Sequence, residues 1–224
     1  MTLPKIIAID GPAASGKSTL GLRLAKSLGY LFFDTGVMYR AVTWAALERG
    51  VDIYDEGSVT GLAESVQIDV QPSSLEDGRT SDVLLDGVDI TRKTRRPEVE
   101  ANVSPVSAYR GVRLALASQQ RRIGLRGQVV MVGRDIGTVV LPEADLKIYL
   151  DASAEVRARR RTEEILQRGD KADFTQILKG MRKRDKMDST RSYSPLQAAQ
   201  DAIILDSDQL SADEVFARVE ALCR

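Results

Sequence analysis

Nine residues near the start constrain this chain more than any others: Gly11-Pro12-Ala13-Ala14-Ser15-Gly16-Lys17-Ser18-Thr19. The string is G-x-x-x-x-G-K-[ST] with no substitution. An apolar run, Lys5–Ile9, precedes it and reads as a buried strand. Ser18–Leu28 follows, with Leu20, Leu24 and Leu28 at helical spacing. A strand feeding a glycine-rich loop and then a helix turns successive N–H groups toward an anion, at the positive end of a helix dipole. Gly11 and Gly16 let the backbone close around phosphates without a Cβ in the way. Lys17 suits the outer phosphates, and a hydroxyl of Ser18 or Thr19 suits Mg²⁺. Without the flanking strand and helix, the same residues would read as a Gly/Ser-rich turn with a surface lysine.

The rest of the chain continues the alternation. Leu31–Phe33 reads as a second buried strand, and Gly36–Glu48 as a helix stopped by Gly50. From about Ala63 to Ala101 the pattern changes to β-branched, alternating segments, with Asp86-Gly87 as a tight-turn signal. This predicts a small, mainly antiparallel β insertion. Arg113–Ile123 reads as a helix, Gln128–Val132 and Leu146–Leu150 as buried strands, and Ala154–Gln167 and Asp173–Met187 as charge-rich helices. Ala202–Leu205 is the last strand and Ala212–Leu222 the closing helix. Strands alternating with helices predict an α/β fold, a P-loop NTPase-type parallel sheet flanked by helices. A length of 224 residues suits one domain.

Composition removes several classes. Lys+Arg and Asp+Glu are equal at 32 each, so the whole chain has no bias toward polyanions. There is no histidine, which excludes His-containing catalytic triads and His-ligated zinc. Apolar runs such as Val129–Val132 fall far short of the roughly 20 residues of a membrane span. The opening residues show no signal peptide, and the single cysteine, Cys223, has no internal partner. The reading is a soluble, cytoplasmic protein with no membrane partner. Charge is uneven along the chain, however: Arg110 to Arg191 holds 19 Lys/Arg against 11 Asp/Glu, a local +8. That arginine-rich stretch fits solvated helix faces. It also fits a site that gathers phosphates, because the guanidinium fork meets their oxygens in pairs. Aromatic residues are only 5%, and no stacking platform interleaves with the arginines, so no nucleic-acid partner is expected.

Phosphate loops serve small kinases, switch GTPases and transport ATPases. The chain lacks an Asn-Lys-x-Asp guanine-reading string and is short for a large ATPase, which leaves a small kinase of nucleotides or metabolites. Two more polar turns follow predicted strands, where open α/β sheets bind ligands. Asp34-Thr35-Gly36, leading into Val37-Met38-Tyr39-Arg40, reads as an acceptor site and equally as a helix capped by Asp34 or Thr35. Gly133-Arg134-Asp135-Ile136-Gly137-Thr138 offers Arg134 to a phosphate and Asp135 to a sugar or base, or an internal Arg–Asp ion pair.

The ordered set GPAASGKST, DTGVMYR, LLDGVDI, VSPVSAYRGVR, GRDIGT, DASAEVRARRR and RDKMDSTR resembles the bacterial cytidylate kinases over essentially the whole chain. The resemblance implies a P-loop nucleoside monophosphate kinase of pyrimidine metabolism that transfers the ATP γ-phosphoryl group to CMP and dCMP. The alternative is another small P-loop kinase, for UMP, AMP or a metabolite. The resemblance makes residues 63–101 a CMP-binding subdomain and about 152–170 a helical lid, in a monomer. Gly11–Thr19 would hold ATP phosphates, with Arg157, Arg160 and Arg161 closing over them. Thr35, Tyr39 and Arg40 would lie near the acceptor. Ser104 and Asp188 would read cytosine, whose N4 amino group donates to a carboxylate where uracil presents a carbonyl. Arg113, Arg134 and Arg184 would hold the CMP phosphate and the group in transfer. Asp135 and Arg191 would meet the sugar. The implied catalytic set is Lys17, Arg134, Asp135, Arg157 and Arg184, with Mg²⁺ held by Ser18 or Thr19. Two positions depart from the family pattern: Ala14 stands where many relatives have glycine, and Val132 where they often have Asp or Glu.

Overall fold

The computed structural model describes residues 3–224. In chain order its elements are β1 (Ile6–Asp10), α1 (Lys17–Leu28), β2 (Leu31–Asp34), α2 (Gly36–Glu48), α3 (Glu56–Ser65), β3 (Ile68–Gln71), β4 (Asp82–Leu85), β5 (Val88–Asp89), α4 (Pro97–Ala108), α5 (Arg110–Gly124), β6 (Val129–Val132), β7 (Leu146–Asp151), α6 (Ala154–Gln167), α7 (Phe174–Ser189), β8 (Ile203–Asp206) and α8 (Ala212–Leu222). A short 3₁₀ turn spans Lys93–Arg95 and a single π turn Ile136–Val140.

Five parallel strands form the main sheet in the order β2-β6-β1-β7-β8. Both faces are covered, which is why its inner strands read as unbroken apolar runs. Ile7, Ile9, Phe32, Val130, Val132, Ile148 and Leu150 pack on one face with Leu20 and Leu24 of α1 and Val215 and Val219 of α8. Ala8, Phe33, Val129 and Met131 face the other way, into a core shared with Met38 and Val42 of α2 and Leu116 and Ile123 of α5. The first strand begins and ends one residue later than its apolar run suggests. That shift places Asp10 in the strand, buried at its carboxyl end.

The insertion is a three-stranded antiparallel sheet, β3-β4-β5. Asp86 and Gly87 form its two-residue turn, with φ of 52° and 81°, but they join β4 to β5; β3 reaches β4 through residues 72–81. Arg79 pins that loop by ion pairs to Asp77, Asp82 and Asp89. The small sheet is also welded to the body. Gln119 of α5 accepts from Ile68 N at 2.7 Å and donates to Val66 O at 3.0 Å, and Arg122 donates to Ile68 O. Ile68, Val70, Val83, Leu85 and Ile90 belong to the same core as Phe33 and Leu116.

Two helices flank this sheet at the edges of the segment read as β-rich. Ala63 lies in α3, whose start is capped by Asp55 accepting from Ser58 N. Residues 97–101 open α4, with Pro97 at its first turn and Glu98 and Glu100 beside it. No helix among the described residues is long and apolar enough to cross a membrane.

Candidate active site

The loop after β1 is shaped by sterics. At Gly11 (φ 145°) an added Cβ would lie 2.1 Å from Leu150 O, so only glycine fits. Ala14 has φ 61°, the left-handed region that disfavours a Cβ. The backbone at Ala14 is thus one that asks for glycine. Lys17 opens α1 and is buried, its ammonium donating to Pro12 O and, at 3.3 Å, to Ser15 Oγ. Burial lowers its pKa to about 7; Arg134 adds to that, while Asp34 and Asp10 oppose it. Ser18 Oγ donates to Asp34 Oδ2 at 2.9 Å.

The ends of β1, β2 and β6 are tied together beside this loop. Gly133 N donates to Ile9 O, and Thr35 donates to Val132 O through both its N and its Oγ at 3.0 Å. Thr35 sits at the N-cap of α2, but its hydroxyl does not cap; Asp34 Oδ1 accepts from Gly36 N instead. Asp10, which sequence reasoning passed over, is another buried tie. Its Oδ1 accepts from Ile136 N at 2.8 Å and its Oδ2 from Gly137 N at 2.7 Å. Burial pushes its pKa up to about 6 against the pull of those two N–H groups. Asp10 therefore fixes the turn that carries Arg134 and Asp135. The signal for it was a charge closing an apolar strand.

Arg134 and Asp135 are not each other's partner. Asp135 pairs with buried Arg113 at 2.7 Å, and Arg134 Nε stands 2.5 Å from Asp188 Oδ2, close but poorly aligned for a hydrogen bond. Asp188, on α7, also faces Arg191 at 3.4 Å and Arg184 at 4.0 Å. With Ser104 and Ser107 of α4 these residues line a small cavity of about 40 Å³. The structure thus brings Ser104, Arg184, Asp188 and Arg191 into one wall, joined by Arg134 through its ion pair. Tyr39 lies in the core beneath the Arg113 guanidinium, 5.5 Å from it, and does not line this cavity. Arg40 pairs with Glu100 of α4 at 3.1 Å.

A larger cleft of about 1020 Å³ opens along the loop. Ala13–Thr19, Arg40, Arg160, Arg161 and Arg184 are among its walls. Arg157 is buried under the loop, not poised above it. It donates to Ala13 O at 3.0 Å and to Ala152 O, and grips both carboxylate oxygens of Asp185 on α7. Arg160 bonds Ser207, and Arg161 pairs with Glu164. Asp185 is a second residue the sequence reading omitted. It lies in the 181, 184, 185, 188 stripe of α7, so the helical spacing of Arg184 and Asp188 already pointed to it.

The site concentrates cations at a cost. Arg184 and Arg191 are both pushed down from the usual arginine pKa, by burial first and then by neighbouring Arg134 and Arg113 respectively. Phosphates would relieve that repulsion. For a hard cation the local donors are oxygens, from Ser18 and Asp34. Among the described residues no group of three or more His, Cys, Asp or Glu is gathered as a metal cage. That donor set fits Mg²⁺ taking most of its ligands from phosphates and water.

The family model and the curated relatives agree. The family model "Cytidylate kinase" matches residues 7–224. The cytidylate kinase of Roseiflexus castenholzii is 52% identical over 222 residues, spanning 99% of this chain and 94% of the relative. That of Herpetosiphon aurantiacus is 49% identical over 99% of this chain and 95% of its own. That of Chloroflexus aggregans is 51% identical over 98% and 94%.

Proposed function

The chain belongs to the cytidylate kinase family and phosphorylates CMP and dCMP with ATP; we propose that the γ-phosphoryl group passes directly between two clefts that meet at Arg184. The observation that carries this reading is that Arg184 is the arginine shared by the walls of the large cleft and the small cavity. A donor triphosphate on Gly11–Thr19 and an acceptor beside Asp188 would present their reacting oxygens to the same guanidinium.

The chemistry asks little of a general base. A nucleoside monophosphate has a second pKa near ~6, so its attacking oxygen is already ionised at neutral pH. Positioning and charge neutralisation remain, and Lys17, Arg134, Arg184 and Arg191 supply them in a partly dehydrated site. Arg113 and Asp135 brace each other and set the acceptor side. Arg157 acts from beneath, holding the loop carbonyl of Ala13 against α7. Ser104 and Asp188 read the cytosine edge, the carboxylate accepting from N4. Arg134 faces the same carboxylate, so cytosine competes with the Arg134–Asp188 pair. Mg²⁺, held by the Ser18 hydroxyl, would supply charge neutralisation to the donor phosphates. Residues 63–101 serve the acceptor side and 152–170 the closing of the donor side, in a cytoplasmic monomer.

ADP release with MgATP and separate CMP, dCMP, UMP, AMP and GMP tests the reading. Turnover with CMP and dCMP and little with the others supports it. A preference for UMP or AMP would keep the kinase and overturn the cytosine-reading roles of Ser104 and Asp188.

A further inference from the structure

Phosphate-loop enzymes commonly hold Mg²⁺ by the loop hydroxyl and an acidic side chain at the end of a neighbouring strand. Here the strand end next to β1 carries Val132, which is 2% exposed and packed against α1, where it crowds Gly21. No ligand can come from that side chain. The next strand over supplies a different arrangement. In the β2–β6 register Asp34 stands directly opposite Val132, so both side chains leave the same face of the sheet. That face is the one covered by α1. Asp34 Oδ2 accepts the Ser18 hydroxyl proton at 2.9 Å, while its Oδ1 is anchored by Gly36 N. It also lies close enough to Lys17 to support the charged form of that ammonium. The carboxylate therefore faces the place where donor phosphates would lie.

We propose that Asp34, acting through Ser18, is the acidic residue of the cation site, in the role that Val132 cannot fill. The physical basis is directional. A serine hydroxyl has one proton and two lone pairs. Donating the proton to Asp34 leaves the lone pairs free for a cation and makes the oxygen more negative. Outer partners of this kind orient a ligand and strengthen it without touching the metal. The same contact selects Ser18 over Thr19, which lines the cleft without this carboxylate partner. Asp34 is thus a positioning residue toward the cation. The inference rests on the donor-site reading given above.

Mn²⁺ serves as the probe, read by the loss of its free electron paramagnetic resonance signal during titration into the protein with saturating ADP. Nucleotide binding is measured separately, as ADP affinity in EDTA. The wild-type complex is expected to bind Mn²⁺ at least tenfold more tightly than ADP alone does. Asp34→Asn and Ser18→Ala should each weaken it about 10–100-fold, with ADP affinity in EDTA kept within about threefold. Asp34→Asn retains an oxygen for Gly36 N, and Ser18→Ala leaves Asp34 in place, so loss of fold in one variant does not spoil the other. Mn²⁺ affinity unchanged in either variant would overturn the proposal. So would a wild-type complex that binds Mn²⁺ no better than ADP does. A wild-type protein that fails to bind ADP would instead overturn the donor-site reading.

Discussion

Asp10 is the residue whose removal should be most informative. Its carboxylate is buried at the end of β1 and accepts from Ile136 N and Gly137 N. Burial raises its pKa from 3.8 to about 6; the two N–H groups and Lys17 pull it down, and Asp135 pushes it up. Tyr149 of β7 faces the same charge, and the Lys147 stem packs beside Gly137. A raised native pKa means that the native state holds the proton more tightly than the unfolded chain. Stability from this group therefore increases as pH falls from about 6 toward 4. Moving the pKa from 3.8 to about 6 corresponds to about 3 kcal/mol when complete, of which about 2 kcal/mol is realised by pH 4. Asp10→Asn cannot titrate. It keeps one acceptor and turns an amide N–H toward the other backbone donor, a loss of about 1–3 kcal/mol at every pH. Urea unfolding of both proteins at fixed pH isolates Asp10 together with its coupling to Lys17 and Asp135, because distant carboxylates cancel in the difference. The stability of wild type relative to the variant should rise by about 2 kcal/mol between pH 7 and pH 4. A flat difference, or one that falls toward acid, refutes the reasoning. At pH 7 the variant should also lose kcat by roughly tenfold, since the turn holding Arg134 and Asp135 keeps one of its two side-chain anchors.

Three further outcomes are expected. Lys17→Ala should lower kcat by about 10²–10³-fold in a coupled ADP-release assay, and an unchanged rate would remove Lys17 from the transfer. Asp188→Asn should raise the KM for CMP by about 10-fold or more, the worth of a lost charged hydrogen bond, while leaving the KM for ATP within about twofold; equal effects on both substrates would deny it a base-reading role. Gly111→Ala should destabilise by about 1–3 kcal/mol through overpacking, because the new Cβ would sit 2.3 Å from Thr60 Cγ2 between α3 and α5; a urea midpoint within error of wild type would contradict that contact.

The parallel sheet and the phosphate loop were legible because their signals are local: an apolar run, an uninterrupted motif, and leucines at helical spacing. Helices α3 and α4 were not. Gly57, Gly61, Val59 and Thr60 give α3 a weak helical propensity, and its order comes from the Asp55 cap and from burial of Val59, Leu62 and Ala63. Pro105 inside α4 masked a helix that Pro97 and two glutamates had announced. In the site, residue types were readable but partners were not. Arg134 and Asp135 are adjacent in sequence, yet their charges are answered by Asp188 and Arg113, 54 and 22 positions away. Which carboxylate meets which guanidinium depends on how α5 and α7 converge. No local pattern encodes that.

The Gln119 bridge to Val66 and Ile68 has a consequence for how this enzyme can be shortened. The insertion looks detachable in a topology diagram, being a separate small sheet with its own turn. Cutting it away would strand the Gln119 amide and Arg122 and bare one side of the main apolar core, on the α5 flank that also holds Arg113. A minimal version of this kinase that keeps the five-stranded sheet and discards residues 66–90 would therefore lose packing that supports α5. The expected outcome is that insertion and body unfold together, with hydrogen exchange protecting β3 amides to the same depth as those of α5.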